Sequence, residues 1–355
     1  METLSTKRTY WLDALKFLSM IVVFLCHFRM AFFYDKFRAI DFNGVQFPNF
    51  IFNGNLAVCM FLLISCYLFA LKAQKSETES NVDCRLVKKR FFRLWIPAVV
   101  VNLLIFVLYA SHLFYNKGAY DESVPYVNDW FSYSSTIKAF GAMLWADVNT
   151  CLFPNGINPP LWCYYLLFFL PLVAYLGIKT IKGNDILIVS LLILPVLFLN
   201  NSYFAVVPLA ITIIKLSECT GKKQLLICMG YAIGIILCII LYCIKINKNV
   251  ELLSRFTETI NMLLAASILG LFVLFRRRNI LNFKLFEILN KISISIYLLH
   301  MPVICSIGFF LFKCGCSIPL IFFVVTLVLV LLSIPFHIFV EKKLTQKIME
   351  LLNVK

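Results

Sequence analysis

An all-α, polytopic integral membrane protein is the architecture this sequence predicts, and three observations carry that expectation. Hydrophobic residues make up 61% of the 355 positions and charged residues 14%, where soluble domains run at about 45–50% and about 25%. With a mean hydropathy of +0.87, the chain has too few polar side chains to coat a globule in water. Apolar runs close to the ~20 residues that cross a bilayer's hydrocarbon recur along the chain. Threaded through a membrane, these runs put 23 of the 33 Lys and Arg on one side, the bias that marks the cytoplasmic face. The composition excludes other classes too. Gly and Pro number 13 and 12, too few for a collagenous or low-complexity chain. The 13 Cys are odd in number and sit mostly in apolar runs, where a thiol acts as a small hydrophobe. No pair has the CxxC spacing of a zinc site, so no metal is expected.

The runs fall at about 11–31, 51–71, 94–114, 161–178, 186–199, 203–216, 225–244, 260–275, 288–312 and 318–340. The fifth and sixth are short, each holds a proline (Pro195, Pro208), and Asn200-Asn201-Ser202 separates them. Fusing them into one broken span would invert everything downstream and erase the charge bias. The positive-inside rule therefore selects ten spans with both termini cytoplasmic. In a soluble chain the net charge of +15 would suggest a nucleic-acid partner; here it reads mainly as topology, and the expected partner is the lipid bilayer. Lys7 and Arg8 precede a long first run that holds Asp13 and Lys16 and lacks a small-residue cleavage site, so it is expected to stay as a span. The 72–93 loop is polar and basic. The 115–160 segment is the longest loop, expected outside, and loops of that length are often functional. No repeat or second soluble region appears, so residues 1–355 are expected to form one transmembrane domain with a core at about 8–345.

Ionisable residues inside spans are costly and usually face a cavity or a partner. The first span carries Asp13, Lys16 and His27. At ~100° per residue, the eleven steps from Lys16 to His27 bring both to one helix face, roughly 16 Å apart along the axis. Asp13 and Lys16, at i,i+3, can pair. His27 is the side chain best suited to moving a proton near neutral pH; the plainer alternative is a histidine hydrogen-bonded to a neighbour near the helix end. Lys88-Lys89-Arg90-Phe91-Phe92-Arg93 enters the third span. The cluster serves either as ordinary cytoplasmic anchoring or, through Arg90 and Arg93 at i,i+3, as a forked site for phosphate. Arg276-Arg277-Arg278 reads more simply as an anchor. Leu161-Trp162 opens the fourth span behind Asn158-Pro159-Pro160. Ser295, Tyr297 and His300 lie in the ninth span, and Glu341 closes the tenth.

Taken in order, these segments resemble the acyltransferase family 3 membrane proteins over nearly the whole chain. The likeness rests on Arg8 to Asp13-Ala-Leu-Lys16 leading to His27, Phe61-Leu-Leu-Ile-Ser65-Cys66-Tyr67-Leu68, Arg90-Phe-Phe-Arg93-Leu-Trp-Ile-Pro97, Leu161-Trp162, Ser295-Ile-Tyr297-Leu-Leu-His300, and Glu341. Lys16 stands where the family usually has Arg, Cys66 where it has Gly, and Pro160 where a His is common. The resemblance implies ten spans and transfer of an acyl group, acetyl on family grounds, from cytoplasmic acyl-CoA to a hydroxyl of a cell-surface glycan or lipid-linked sugar in a bacterial plasma membrane. It implies His27 as the catalytic base or an acyl carrier, and Lys16, Arg90 and Arg93 as the acyl-CoA contacts, with Asp13 holding Lys16. The rival class is a transporter or flippase for a lipid-linked glycan, using the same intramembrane charges as a path. The lack of inverted-repeat symmetry speaks against it, and only an acyltransferase would consume acyl-CoA and change the acceptor's mass.

Overall fold

The computed structural model describes residues 10–33, 39–42, 44–75, 84–119, 127, 129–153, 157–180, 202–248, 250–275 and 283–354. Arg8, the expected fifth span at 186–199 and Arg276-Arg277-Arg278 lie outside them. Among the described residues the chain is mostly helical, with one small hairpin and short connecting turns. The helices are α1 (Tyr10–Phe32), α2 (Gly54–Lys75), α3 (Cys84–Ala110), α4 (Thr136–Asn149), α5 (Tyr164–Thr180), α6 (Val206–Leu216), α7 (Lys222–Lys248), α8 (Thr257–Leu274), α9 (Lys284–Lys291), α10 (Ser293–Lys313) and α11 (Ile318–Leu351). Among the described residues, eight helical stretches are long and apolar enough to cross a membrane, and Tyr203–Leu216 adds a shorter apolar one. The chain is thus an all-α polytopic membrane protein.

Contacts divide the chain into two compact units. The first takes residues 1–22, 39–77 and 173–293. Its centre is α8, packed against α7 and α2. Lipid tails are as apolar as the helices, so burial of apolar surface between them gains little, and close packing and polar contacts hold such helices together. Both appear here. A methyl on Gly270 of α8 would fall 2.3 Å from the Tyr231 ring of α7, and one on Gly234 would fall 2.7 Å from Ser267 Oγ. Asn53 Nδ2 and the Tyr242 hydroxyl both donate to Asn261 Oδ1, at 2.8 and 2.5 Å. Strands β1 (Ala39–Phe42) and β2 (Val45–Pro48) form an antiparallel hairpin pairing Ile40 with Phe47. Its turn places Gly44 at φ +79°, a backbone conformation that glycine adopts without steric cost. Gln46 and Asn247 of α7 exchange two hydrogen bonds, at 2.9 and 2.7 Å.

The second unit takes residues 23–38, 78–172 and 294–355. The C-terminal half of α1 contributes an i,i+4 stripe of Phe24, Phe28 and Phe32, which meets Phe309 and Phe312 of α10 and Phe322 of α11. Close approach is possible because Gly308 offers no side chain: a methyl there would lie 3.0 Å from the Phe32 ring.

The 115–160 segment is more ordered than the loop the sequence suggests. Its second half forms α4, capped by Ser135 Oγ accepting from Lys138 N at 3.2 Å, and α4 runs antiparallel along α3. Phe106 meets Phe140, the Tyr109 hydroxyl donates to Tyr133 O, and Asn102 Nδ2 donates to Asp147 Oδ1 at 2.8 Å. Trp95 Nε1 donates to Asp147 O at 2.6 Å. The opposite face of α4 is apolar and exposed, with Ile137 at 83% and Trp145 at 72%. Lipid accepts a face of this kind more readily than water does.

Prolines shape this unit. A proline within a helix has no N–H and orphans the carbonyl four residues earlier. Pro171 frees the carbonyl of Leu167, and Arg90 takes it with Nε at 3.0 Å and with Nη2. Pro302 frees the carbonyl of Leu298, and Asn158 Nδ2 takes it at 3.1 Å. Wide π-helical turns begin two residues after Pro302 and after Pro335, at Ile304–Gly308 and His337–Leu344.

Candidate active site

His27 lies on α1 in the second unit, half-buried, and its ring meets that of His300 from α10 at 5.0 Å between centroids. His300 Nε2 stands 3.2 Å from His27 Nδ1. His27 Nδ1 is also 3.0 Å from the carbonyl of Val23, one turn back on its own helix. His300 is fully buried, and its Nδ1 is 2.7 Å from the carbonyl of Tyr297. The Trp130 indole lies steeply inclined to the His27 ring, with 6.5 Å between their centroids. Trp130 is fixed in turn, because Asn116 Nδ2 donates to its carbonyl at 2.7 Å and to that of Val127 at 2.9 Å.

Around α10 the polar groups continue. The Tyr297 hydroxyl donates to Pro160 O at 2.5 Å and sits 3.1 Å from Cys163 Sγ. These contacts bind the Asn158-Pro-Pro-Leu-Trp segment, which opens α5 as a 3-10 turn over Pro159–Cys163, to the helix that carries His300. Ser295 Oγ donates to Glu341 Oε1 at 2.5 Å, and His337 Nδ1 contacts Glu341 Oε2 at 2.7 Å. The π turn at 337–344 carries both His337 and Glu341.

The other residues singled out in the sequence occupy different settings. Arg90 is half-buried and holds the Leu167 carbonyl described above, while Arg93 is exposed. In the first unit, Asp13 accepts from Asn290 Nδ2 at 2.6 Å, a partner from α9 that the i,i+3 spacing with Lys16 gave no hint of. Lys16 is half-buried. His300 was readable only as one polar group among several in the ninth span. Its chemistry comes from meeting a histidine 273 positions away, and no local pattern encodes that.

A histidine pair in an apolar bundle can accept and pass a proton, and an exposed cation such as Arg93 can meet an anion. Those capacities suit proton-assisted chemistry in a membrane protein without fixing the reaction. The sequence comparison does. The chain belongs to acyltransferase family 3: the family profile, described as an acyltransferase domain, matches residues 9–338. It is therefore an enzyme, a membrane-bound acyltransferase, and the flippase reading falls away. Among curated proteins and solved structures, no match was found.

Proposed function

We propose that this acyltransferase moves an acetyl group from cytoplasmic acetyl-CoA to a hydroxyl of a cell-surface glycan or lipid-linked sugar in a bacterial plasma membrane, with His27 as general base. The observation that carries the reading is the hydrogen-bonded His27–His300 pair in a helical bundle whose family is acyl-transferring. His27 takes the proton of the acceptor hydroxyl as its oxygen attacks the thioester carbonyl. The tetrahedral intermediate collapses, the C–S bond breaks, and the departing CoA thiolate takes that proton from the imidazolium. The acceptor gains an ester and free CoA leaves, with no metal required.

Arg93 and Lys16 are the proposed contacts for the donor's phosphates and pantetheine arm. Arg90 would join them while it holds the Leu167 carbonyl, and Asp13 would steady the cationic end of α1. A general base contributes typically ~10²–10⁴-fold, so His27→Ala should lower acetylation by at least ~10²-fold. The test uses the full chain in lipid nanodiscs with labelled acetyl-CoA, together with mass spectrometry of surface glycans from cells with and without the protein. Acetylation by His27→Ala at the wild-type rate would refute the assignment, and glycans of unchanged mass would refute the acceptor class.

A further inference from the structure

The hydrogen-bond geometry around the two histidines constrains where their protons can sit. A carbonyl oxygen only accepts, so the 2.7 Å contact of His300 Nδ1 with Tyr297 O requires a proton on that nitrogen. A neutral His300 then has a bare Nε2, which only accepts. Its neighbour at 3.2 Å, His27 Nδ1, must supply the proton between them. The Val23 carbonyl, 3.0 Å from the same His27 Nδ1, can also only accept, so the single Nδ1 proton is shared between it and His300 Nε2. Both constraints put the His27 proton on Nδ1 and leave Nε2 of His27 with the lone pair.

We infer that His300 is a positioning residue that fixes His27 as its Nδ1–H tautomer, so that Nε2 is the atom that takes the acceptor's proton; this rests on the reading of His27 as the base. The arrangement does with a neutral imidazole what a carboxylate does behind the histidine of a serine-hydrolase triad. It selects the tautomer, orients the ring, and accepts from the imidazolium once the second proton arrives. A neutral partner suits an apolar bundle, since a carboxylate at a fully buried position would carry a heavy desolvation cost. The supporting shell is built for rigidity. His300 is 0% exposed, Tyr297 is tied to Pro160, and Asn158 holds the backbone at Leu298.

The chain has only four histidines, which makes a direct test practicable. In wild-type protein labelled with [15N]histidine and kept in nanodiscs, nitrogen NMR should show His27 and His300 both protonated at Nδ1 and bare at Nε2. The signals are assigned by loss in the His27→Ala and His300→Gln proteins. A His27 carrying its proton on Nε2 would overturn the inference and leave the acyltransferase reading intact. In the activity arm, His300→Leu removes the acceptor, while His300→Gln keeps an acceptor oxygen near the position of Nε2. We expect His300→Leu to lower kcat ~10- to 100-fold, the effect of one charge-assisted hydrogen bond. KM for acetyl-CoA should stay within about twofold, and His300→Gln should recover about tenfold. An unchanged kcat in His300→Leu refutes the positioning role even if His27→Ala is dead. A His27→Ala protein of wild-type activity refutes the base itself.

Discussion

If Arg90 holds the Leu167 carbonyl because Pro171 cannot, then restoring an amide at 171 should make Arg90 dispensable for stability. The perturbation is a double-mutant cycle of Arg90→Met, which keeps the stem and deletes the donors, and Pro171→Ala, which returns the missing N–H. Measured polar contacts between membrane helices average ~0.6 kcal/mol and reach ~1.7. This one belongs near the top of that range, because a charged guanidinium places both Nε, at 3.0 Å, and Nη2 on a single carbonyl. Without Arg90 that carbonyl has no intrahelical amide to fall back on. We therefore expect Arg90→Met to cost about 1.5 kcal/mol with Pro171 present, and about 0.5 kcal/mol or less in the Pro171→Ala background, a coupling of ~1 kcal/mol. Reversible unfolding in mixed micelles, followed by tryptophan fluorescence, measures all four proteins. Effects that add to within ~0.5 kcal/mol would show that the proline and the arginine act independently and would refute the reasoning.

The second proline gives a parallel case. Asn158→Ala should destabilise by ~1 kcal/mol, and Asn158→Asp by more, because a carboxylate would face the Leu298 carbonyl with no proton to offer; thermal unfolding of the two ranks them. Gly270→Ala should cost ~1–3 kcal/mol by overpacking, since the added methyl lands 2.3 Å from the Tyr231 ring, and Tyr231→Ala in the same chain should restore most of that in the same unfolding assay. Burial, and then the neighbouring Tyr109, push the Tyr133 phenol up to about 12. Its favoured neutral form therefore contributes stability fully below the ordinary phenol range near 10 and loses it as pH rises through 12. Tyr133→Phe should flatten the alkaline fall in unfolding temperature, and an unchanged profile would contradict the assigned burial.

The spanning helices were legible because lipid imposes a length and a composition that few other structures share. His27 was legible for the same reason, as an ionisable group deep in an apolar run. α4 was not, because 14 residues with Lys138 and Asp147 are too short and too polar to register as a span. What admits them is Asn102 and Trp95 on another helix. The hairpin did carry a local signal, Asn43-Gly44 between alternating Ile40, Phe42, Val45 and Phe47, which a search for long apolar runs passes over. Pro171 and Arg90 were each visible, but their connection was not. A proline in sequence shows that a carbonyl loses its amide, and only the packing shows which side chain arrives to replace it.

The pairing of α4 with α3 bears on how the chain is made. A 14-residue helix rises ~21 Å, short of the ~30 Å of hydrocarbon, and its last turn carries a carboxylate. Such a segment is too short to be an independent span, and its contacts to Asp147 come from Asn102 and Trp95 of α3. On this reading α3 is seated before α4, and a chain lacking Asn102 is expected to insert its long helices and leave α4 unseated.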